Sequence, residues 1–524
     1  MKSIFSIAFI MSIVVAASGQ VTFTKDIAPI IYNKCTTCHR PNEIGPFSLT
    51  NYDEVASYAD MIKYVTAIRY MPPWKADPHF SRFIGERALT DDEIAKIAAW
   101  VDNGAPYGNS AEEPPLPNFP TGSQVGIPDL ILHFAQSFAH KGGNEDEYRV
   151  FVFPTGLTQD KEISTIELRP GNRKVLHHAL FAYDVTGSAA AMDAADPKYG
   201  YDGFGGFGID EALNNMFPGY VPGQKPVPYP HGLGQTLPAG ADLLMQAHYG
   251  PFANESVDSS TINVFFKKEP VERQVQNLIF LPISPFLTGD IFLMPPNTVK
   301  TFHTQYTTPI KVSVFAIWPH AHLLNKSYEV FAVHPNGDTT NLIRIPDWDF
   351  NWQGVYSFKK FIVLEPGTTV YANVTYDNTT NNASNPNSPP AWVTWGEKTT
   401  DEMLFMPINF VLYKQGDENI ELDEQTTGIE DPNVRFVNHY LAPIIPNPAR
   451  DEAIINFVLE HPDHITLRVM DMQGKVVDNI ATDEWNSEGA HLRSIDLNQW
   501  APGAYFVQML GTNFMQSQKL TVVK

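Results

Sequence analysis

Two stretches, Leu237-Pro-Ala-Gly-Ala-Asp-Leu-Leu-Met-Gln-Ala-His-Tyr249 and Leu364-Glu-Pro-Gly-Thr-Thr-Val-Tyr-Ala-Asn-Val-Thr-Tyr376, are variants of one template: a leucine, a Pro/Gly turn, then a short run closed by tyrosine. Helix periodicity is absent from residues 124–413, where short alternating runs such as 312–317 and 369–375 lie between Gly, Pro and Asn clusters. Alternation at period two, broken by turn residues, is the pattern of β-sandwiches and barrels. The repeated template predicts two related all-β, jelly-roll-like sandwich subdomains, 124–280 and 281–414, meeting near residue 280.

Outward from this region the character changes on both sides. Residues 20–110 carry helical spacing and predict a small all-α domain; residues 91–101 form an amphipathic helix with Thr90 as N-cap, ended by Asn103-Gly104. A Pro-rich linker, 111–123, follows, stiff because proline fixes φ and removes donors. Residues 415–439 hold Asp417, Glu418, Glu421, Asp423, Glu424, Glu430 and Asp431 and read as a solvated acidic tether. Residues 440–524 return to β alternation as a small sandwich. At the other end the apolar run 4–17, closed by Ala17-Ser18-Gly19, reads as a signal peptide, 1–19, and no second stretch is long enough to span a membrane. The long 186–240 segment, rich in Gly, Pro, Tyr and Phe, reads as a functional loop able to roof a site.

The chain has 524 residues, 43% of them hydrophobic, which rules out wholesale disorder, and a formal charge of −22, which sets nucleic-acid binding aside. Its two cysteines, Cys35 and Cys38, are too close together to brace so long a chain. They lie in Cys35-Thr-Thr-Cys38-His39, the C-x-x-C-H pattern of covalent c-type haem: two thioethers to the porphyrin and a histidine on iron. A redox dithiol or half a zinc site are the competing readings; no second cysteine pair exists to complete the latter. This stretch resembles the bacterial monohaem cytochrome c domains. The resemblance implies a sixth ligand, Met71 of Arg69-Tyr-Met-Pro-Pro-Trp74, with Met61 and His79 as alternatives.

Five histidines in the β region fall in three settings: Val175-Leu-His177-His178-Ala179, Gln246-Ala-His248-Tyr249 and Trp318-Pro-His320-Ala-His322. On a strand His320 and His322 share a face and can hold one metal, whereas the adjacent His177 and His178 can do so only at a strand end or a bulge. Each alone reads more readily as a hydrogen-bonded strand residue. Together with Pro319-His-Ala-His322 and Trp395-Gly-Glu-Lys-Thr-Thr-Asp-Glu-Met403, they resemble the copper type II, ascorbate-dependent monooxygenases, the family of peptidylglycine α-hydroxylating monooxygenase and dopamine β-hydroxylase, over residues 124–415. The resemblance implies two coppers: His177, His178 and His248 on an electron-transfer copper, and His320, His322 and Met403 on the catalytic copper that meets dioxygen, with Met406 the competing thioether. A soft thioether suits Cu(I). It implies an enzyme that inserts oxygen from O2 into a C–H bond of a small-molecule substrate and needs a reductant; the one covalent haem c of the tethered N-terminal segment is expected to substitute for, or relay electrons from, ascorbate or another electron donor.

The animal members are braced by disulfides, and this region has no cysteine. Where the peptide-amidating members recognise a carboxylate, this chain has Trp318 and, approximately, Pro407, which argues against a peptidyl-glycine substrate. Trp318, Tyr201 and Phe204 suggest an apolar one, with core packing of Trp318 the alternative. A non-catalytic haem and copper electron carrier, or a binding module with surface histidines, are the other readings. Ile445-Pro-Asn-Pro-Ala449, Met472-Gln-Gly-Lys475, Pro502-Gly-Ala-Tyr505 and Lys519-Leu-Thr-Val-Val-Lys524 resemble type IX secretion sorting domains, an adhesive sandwich being the competing reading. This resemblance implies recognition by the type IX machinery and a secreted or cell-surface protein that travels via the periplasm. His133, His140, His231, His303, His334, His439, His461, His464 and His491 carry no ligand pattern.

Overall fold

A computed structural model describes residues 20–41, 43–117, 123–213, 215–422, 440–441, 444, 446–459, 462–472, 475–487, 489–512 and 515–523. The expected signal peptide, 1–19, and most of the expected acidic tether therefore lie outside the described residues. The chain is mostly β and divides into two compact units at residues 429/430.

The first unit begins with four helices, α1 (Ala28–Lys34), α2 (Tyr52–Ser57), α3 (Ala59–Ala67) and α4 (Asp91–Asp102). They enclose a core of Phe23, Ile27, Ile31, Val55, Ile62, Ile97 and Trp100. Thr90 caps α4 in a capping box with Glu93, and Gly104 leaves the helix at φ +82°. A separate all-α domain over 20–110 is not what forms. Between α3 and α4 the chain leaves the helices and joins the β region. Trp74, Ala76 and Phe83 enter a sandwich core, Phe83 bridges Phe358, the Ile84 N–H donates to Ser357 O at 2.8 Å, and Asp77 accepts from Arg344. Four short helices around one small core bury little apolar surface, and this attachment adds the burial that they lack. Glu43 makes a second attachment, accepting from Arg40 at 2.9 Å, Arg169 at 3.3 Å and Arg173. Glu113 of the expected linker accepts from Tyr32 and Tyr107, which holds that end of the linker against the helices.

The first sandwich stacks strands Glu147–Pro154, Leu176–Asp184, Phe217–Tyr220, Asp242–Tyr249 and Tyr201–Asp202 in one sheet over Leu130–His133, Lys161–Arg169, Leu233–Leu237, Thr261–Phe266 and Arg273–Gln274 in the other. Phe151, Phe181, Leu243 and Ile262 fill its centre. The second packs Gln276–Phe280, Val312–Ile317, Tyr356–Leu364 and Met406–Leu412 over a sheet containing Thr298–Thr307, Asn325–Val333, Thr339–Ile345 and Thr369–Asn378. The chain changes sandwich at Val275, between a strand paired to residues 233–234 and one paired to 406–410, slightly before the expected 280.

The two template stretches take the same structure: a strand of one sheet, a turn through Gly240 (φ +71°) or Gly367 (φ +84°), and a strand of the other sheet. Thr369–Asn378 alternates buried and half-buried positions, as its pattern demands, whereas Val312–Ile317 is buried at every position because it is an inner strand covered on both faces. The described first residues of the expected acidic tether, 415–422, pack onto the β region instead of standing in solvent. Asp417 is buried, pairs with Arg273 at 2.6 Å and accepts from Ser313 Oγ, and Leu422 enters a core.

The second unit is a sandwich of Tyr440–Leu441, Glu452–Leu459 and Gly489–Asp496 with Val476–Asn486, Asp463–Met470, Gly503–Leu510 and Met515–Val522, closed over Ile455, Phe457, Leu467, Val469, Val507 and Leu520.

Candidate metal and haem centres

Pairing between Leu176–Asp184 and Asp242–Tyr249 slips between Leu176 and His178, which leaves His177 as an extra, bulged residue. The bulge cancels the strand alternation, so His177 and His178 turn toward one point, with His248 supplied by the partner strand. Their Nδ1 atoms converge, 3.1 Å between His177 and His178 and 3.4 Å between His178 and His248. The candidate ligand atoms of all three lie within 4.8 Å of one another. Burial holds His177 at about 3 and His178 well below the ordinary histidine range, so at neutral pH their rings are uncharged and keep lone pairs for a metal. This convergence of imidazole nitrogens fits a copper-sized cation.

His248 is oriented by a residue that sequence reasoning missed. Asp146 accepts from His248 Nε2 at 2.8 Å, leaving Nδ1 to face the other rings. The same carboxylate accepts from Thr399 N at 3.0 Å and Thr399 Oγ1 at 2.6 Å, tying the first sandwich to the segment that carries Met403. Burial opposes its charge, but these bonds leave its pKa below the usual carboxylate range. An aspartate on a turn before a strand carries no sequence signal for this role.

His320 and His322 lie beyond the end of Val312–Ile317 rather than on a regular strand, because Pro319 cannot donate to a ladder. His320 instead makes an isolated bridge to Phe405, and the two rings face each other edge-on at 5.4 Å. Glu402 organises the turn: one oxygen accepts from the backbone N–H groups of both His322 (2.9 Å) and Met403 (3.1 Å), the other from Leu324 (2.6 Å). Tyr328 and Tyr376 donate to the carbonyls of His320 and Met403. Met403 is half-buried against a hydrophobic cluster that includes Trp318 and Phe405, whereas the competing Met406 is fully buried in the second sandwich core and committed to packing. The two histidine groups adjoin: the rings of His178 and His320 lie 5.3 Å apart, and Phe350 stacks on His177 at 4.6 Å and stands edge-on to His322 at 5.9 Å.

In the helical segment His39 Nδ1 is bonded to Phe47 O at 3.0 Å, which leaves Nε2 for a ligand, and Cys35 and Cys38 are both free thiols. A donated Nδ1–H and two unpaired thiols one turn away are the donor set that covalent haem requires. Met71 lies just past α3, its N–H bonded to Val65 O. Met61, on α3, is 52% exposed, and His79 is also exposed. A β-carbon at Gly45 would stand 2.7 Å from Cys38 O and 2.9 Å from His39 Nδ1. Gly45→Ala is therefore expected to displace the His39 ring and lower the yield of covalent haem in a pyridine haemochrome assay; a wild-type yield would contradict this.

The apolar rim expected from the long loop is mostly core. Tyr201 is buried and donates to Phe207 O, and Trp318 is buried, donates to Gln353 O and fills the space left by Gly219. Phe204 is 51% exposed, edge-on to Tyr148, which stacks on His248 at 4.2 Å. Of the histidines set aside, His140 pairs with Glu147, His303 with Asn373, His334 with Thr340, and His491 stacks on Phe457.

Residues 443–524 match the secretion system C-terminal sorting domain family. The chain thus carries a type IX sorting tail and is secreted or held at the cell surface; among the described residues no helix is long and apolar enough to cross a membrane. No curated protein matches the chain. Solved structures similar to it include the β-glucuronidase of Ruminococcus gnavus in complex with C6-substituted uronic isofagomine (12% identity, 48% of this chain and 45% of that one, TM-score 0.15). Others are the β-D-glucuronidase of Dictyoglomus thermophilum (11%, 48% and 44%, 0.15) and that of Parabacteroides merdae (8%, 42% and 27%, 0.13). The chain spans less than half the length of each, and likeness this slight carries no argument about fold or activity.

Proposed function

We propose that this protein is a secreted copper-dependent monooxygenase that hydroxylates a C–H bond of a small substrate with O2, its electrons supplied through a covalently attached c-type haem. The observation that carries the reading is the meeting of five histidines from three distant stretches in one largely buried cluster between two sandwiches. A binding module with surface histidines would have no reason to bury them. In this reading His177, His178 and His248 hold one copper, His320, His322 and Met403 the other, and Cys35, Cys38, His39 and Met71 the haem. Bound copper would supply one-electron chemistry and a place for dioxygen.

The chain's own residues do the rest. Asp146 fixes the tautomer of His248, Glu402 fixes the backbone that presents His322 and Met403, and burial keeps the imidazoles neutral and excludes bulk water. The test is copper-to-haem stoichiometry on full-length protein matured with haem, loaded with copper and desalted, beside Met403→Ala. About two coppers per haem, with one weakened in the variant, and oxygen-dependent hydroxylated product from a screen of small apolar compounds are expected. Haem without copper would reject the reading; both metals without product would leave an electron carrier.

A further inference from the structure

One short segment of the second sandwich, residues 350–353, touches both the haem-attachment corner and the histidine cluster. At the near end, a β-carbon on Gly223 would stand 3.1 Å from Cys38 Sγ and 3.4 Å from the Trp352 indole, so the thiol and the indole flank one glycine notch. Arg87 closes that corner. Its guanidinium lies 4.6 Å from the centre of the Trp352 ring, donates to Gly223 O at 3.0 Å and reaches to 3.9 Å of Cys38 Sγ. Among the described residues it makes no ion pair with a carboxylate, its charged and polar neighbours being Cys38, Tyr356 and Cys35, and the Trp352 indole is buried beside Tyr356. A guanidinium with no carboxylate of its own beside a haem cysteine fits a carboxylate-bearing porphyrin edge.

At the far end the segment meets the histidines. Gln353 O accepts from Trp318 Nε1 at 2.6 Å, two residues before His320, and the Gln353 carboxamide faces the His320 ring. Phe350, whose carbonyl accepts from Gln353 Nε2 at 2.6 Å, stacks on His177 and stands against His322. One indole on the haem side is thus flanked, one residue after it and two before it, by groups in contact with both sets of candidate copper ligands.

On the reading proposed above, we infer that Trp352 is the electron gate between the haem and the histidine cluster. The transfer balances as a single electron: ferrous haem becomes ferric and one cupric ion becomes cuprous, with no proton required. Electronic coupling falls steeply across gaps between bonded or touching groups, and the Trp352 contact is the step at which the haem corner first meets the segment.

The experiment uses the full chain carrying haem and copper, anaerobic, with haem pre-reduced and its reoxidation followed by absorbance after cupric loading. Trp352→Leu is expected to slow reoxidation about tenfold or more at unchanged metal stoichiometry, and Trp352→Phe, which keeps a ring, to slow it less. Phe331→Leu, on the outer face of the second sandwich, is the control for surface packing. The haem midpoint potential of each variant separates lost coupling from altered driving force. Wild-type rates in both Trp352 variants, with both metals bound, would overturn the gate and leave the enzymatic reading standing. A chain that takes up no haem or no copper would overturn both. If Trp352→Leu lost its fold, a slowed Trp352→Phe would carry the inference and an unchanged one would refute it.

Discussion

Glu402→Ala is expected to unfold several degrees below wild type. The carboxylate is fully buried and is the acceptor for three backbone N–H groups, those of His322, Leu324 and Met403. Removing it leaves all three buried without a partner, at roughly 1–3 kcal/mol each, so the total is on the order of 3 kcal/mol or more. Burial also pushes this carboxyl up to about 8, against the pull of the donors, and relief of that desolvation offsets part of the loss. Glu402→Gln keeps one oxygen acceptor and should fall between the two. Because the three donors hold the turn of His320 and His322 against Met403, the same variant should lose copper binding at the proposed His320, His322 and Met403 site while keeping it at the three-histidine site. Thermal unfolding with metal analysis checks both; an unchanged midpoint in Glu402→Ala would show that the turn stands without its carboxylate.

The second large effect is expected at Asp146. Truncation to Ala removes the acceptor that fixes His248 with Nδ1 facing His177 and His178, and frees both donors of Thr399. Loss of such a partner behind a metal-binding histidine typically costs about 10–100-fold in metal affinity. Copper competition titration should find that loss confined to the three-histidine site. Asp146→Asn retains an acceptor oxygen and should lose less. Equal affinities in wild type and Asp146→Ala would mean that strand geometry alone orients His248.

The sequence was legible where a local pattern carries the physics. Thr90, Glu93 and Gly104 bound α4 because capping is settled within four residues, and the Pro/Gly template at 237–249 and 364–376 repeats because the same turn joins two sheets twice. His320 and His322 come together, although through an isolated bridge and a carboxylate-held turn instead of a strand face. Asp146 and Glu402 were missed as partners because they act through tertiary contacts that leave no periodicity in the chain. The break in the helical region is illegible for a related reason: residues 74–86 contain aromatic and apolar positions that fit either core, and only the assembled sandwich shows which one takes them.

Composition, the C-x-x-C-H spacing, the strand-period pattern and the tail motifs were sufficient by themselves for export, for a mostly β chain with a short helical preface, and for which residue types could bind metals. Whether His177 and His178 face one point depended on a single-residue bulge. Whether five histidines from three stretches adjoin, and whether Trp352 lies near Cys38, depended on how two sandwiches and a helical segment close on one another. Those are long-range packing outcomes, set by burial summed over whole sheets, and no window of sequence contains them.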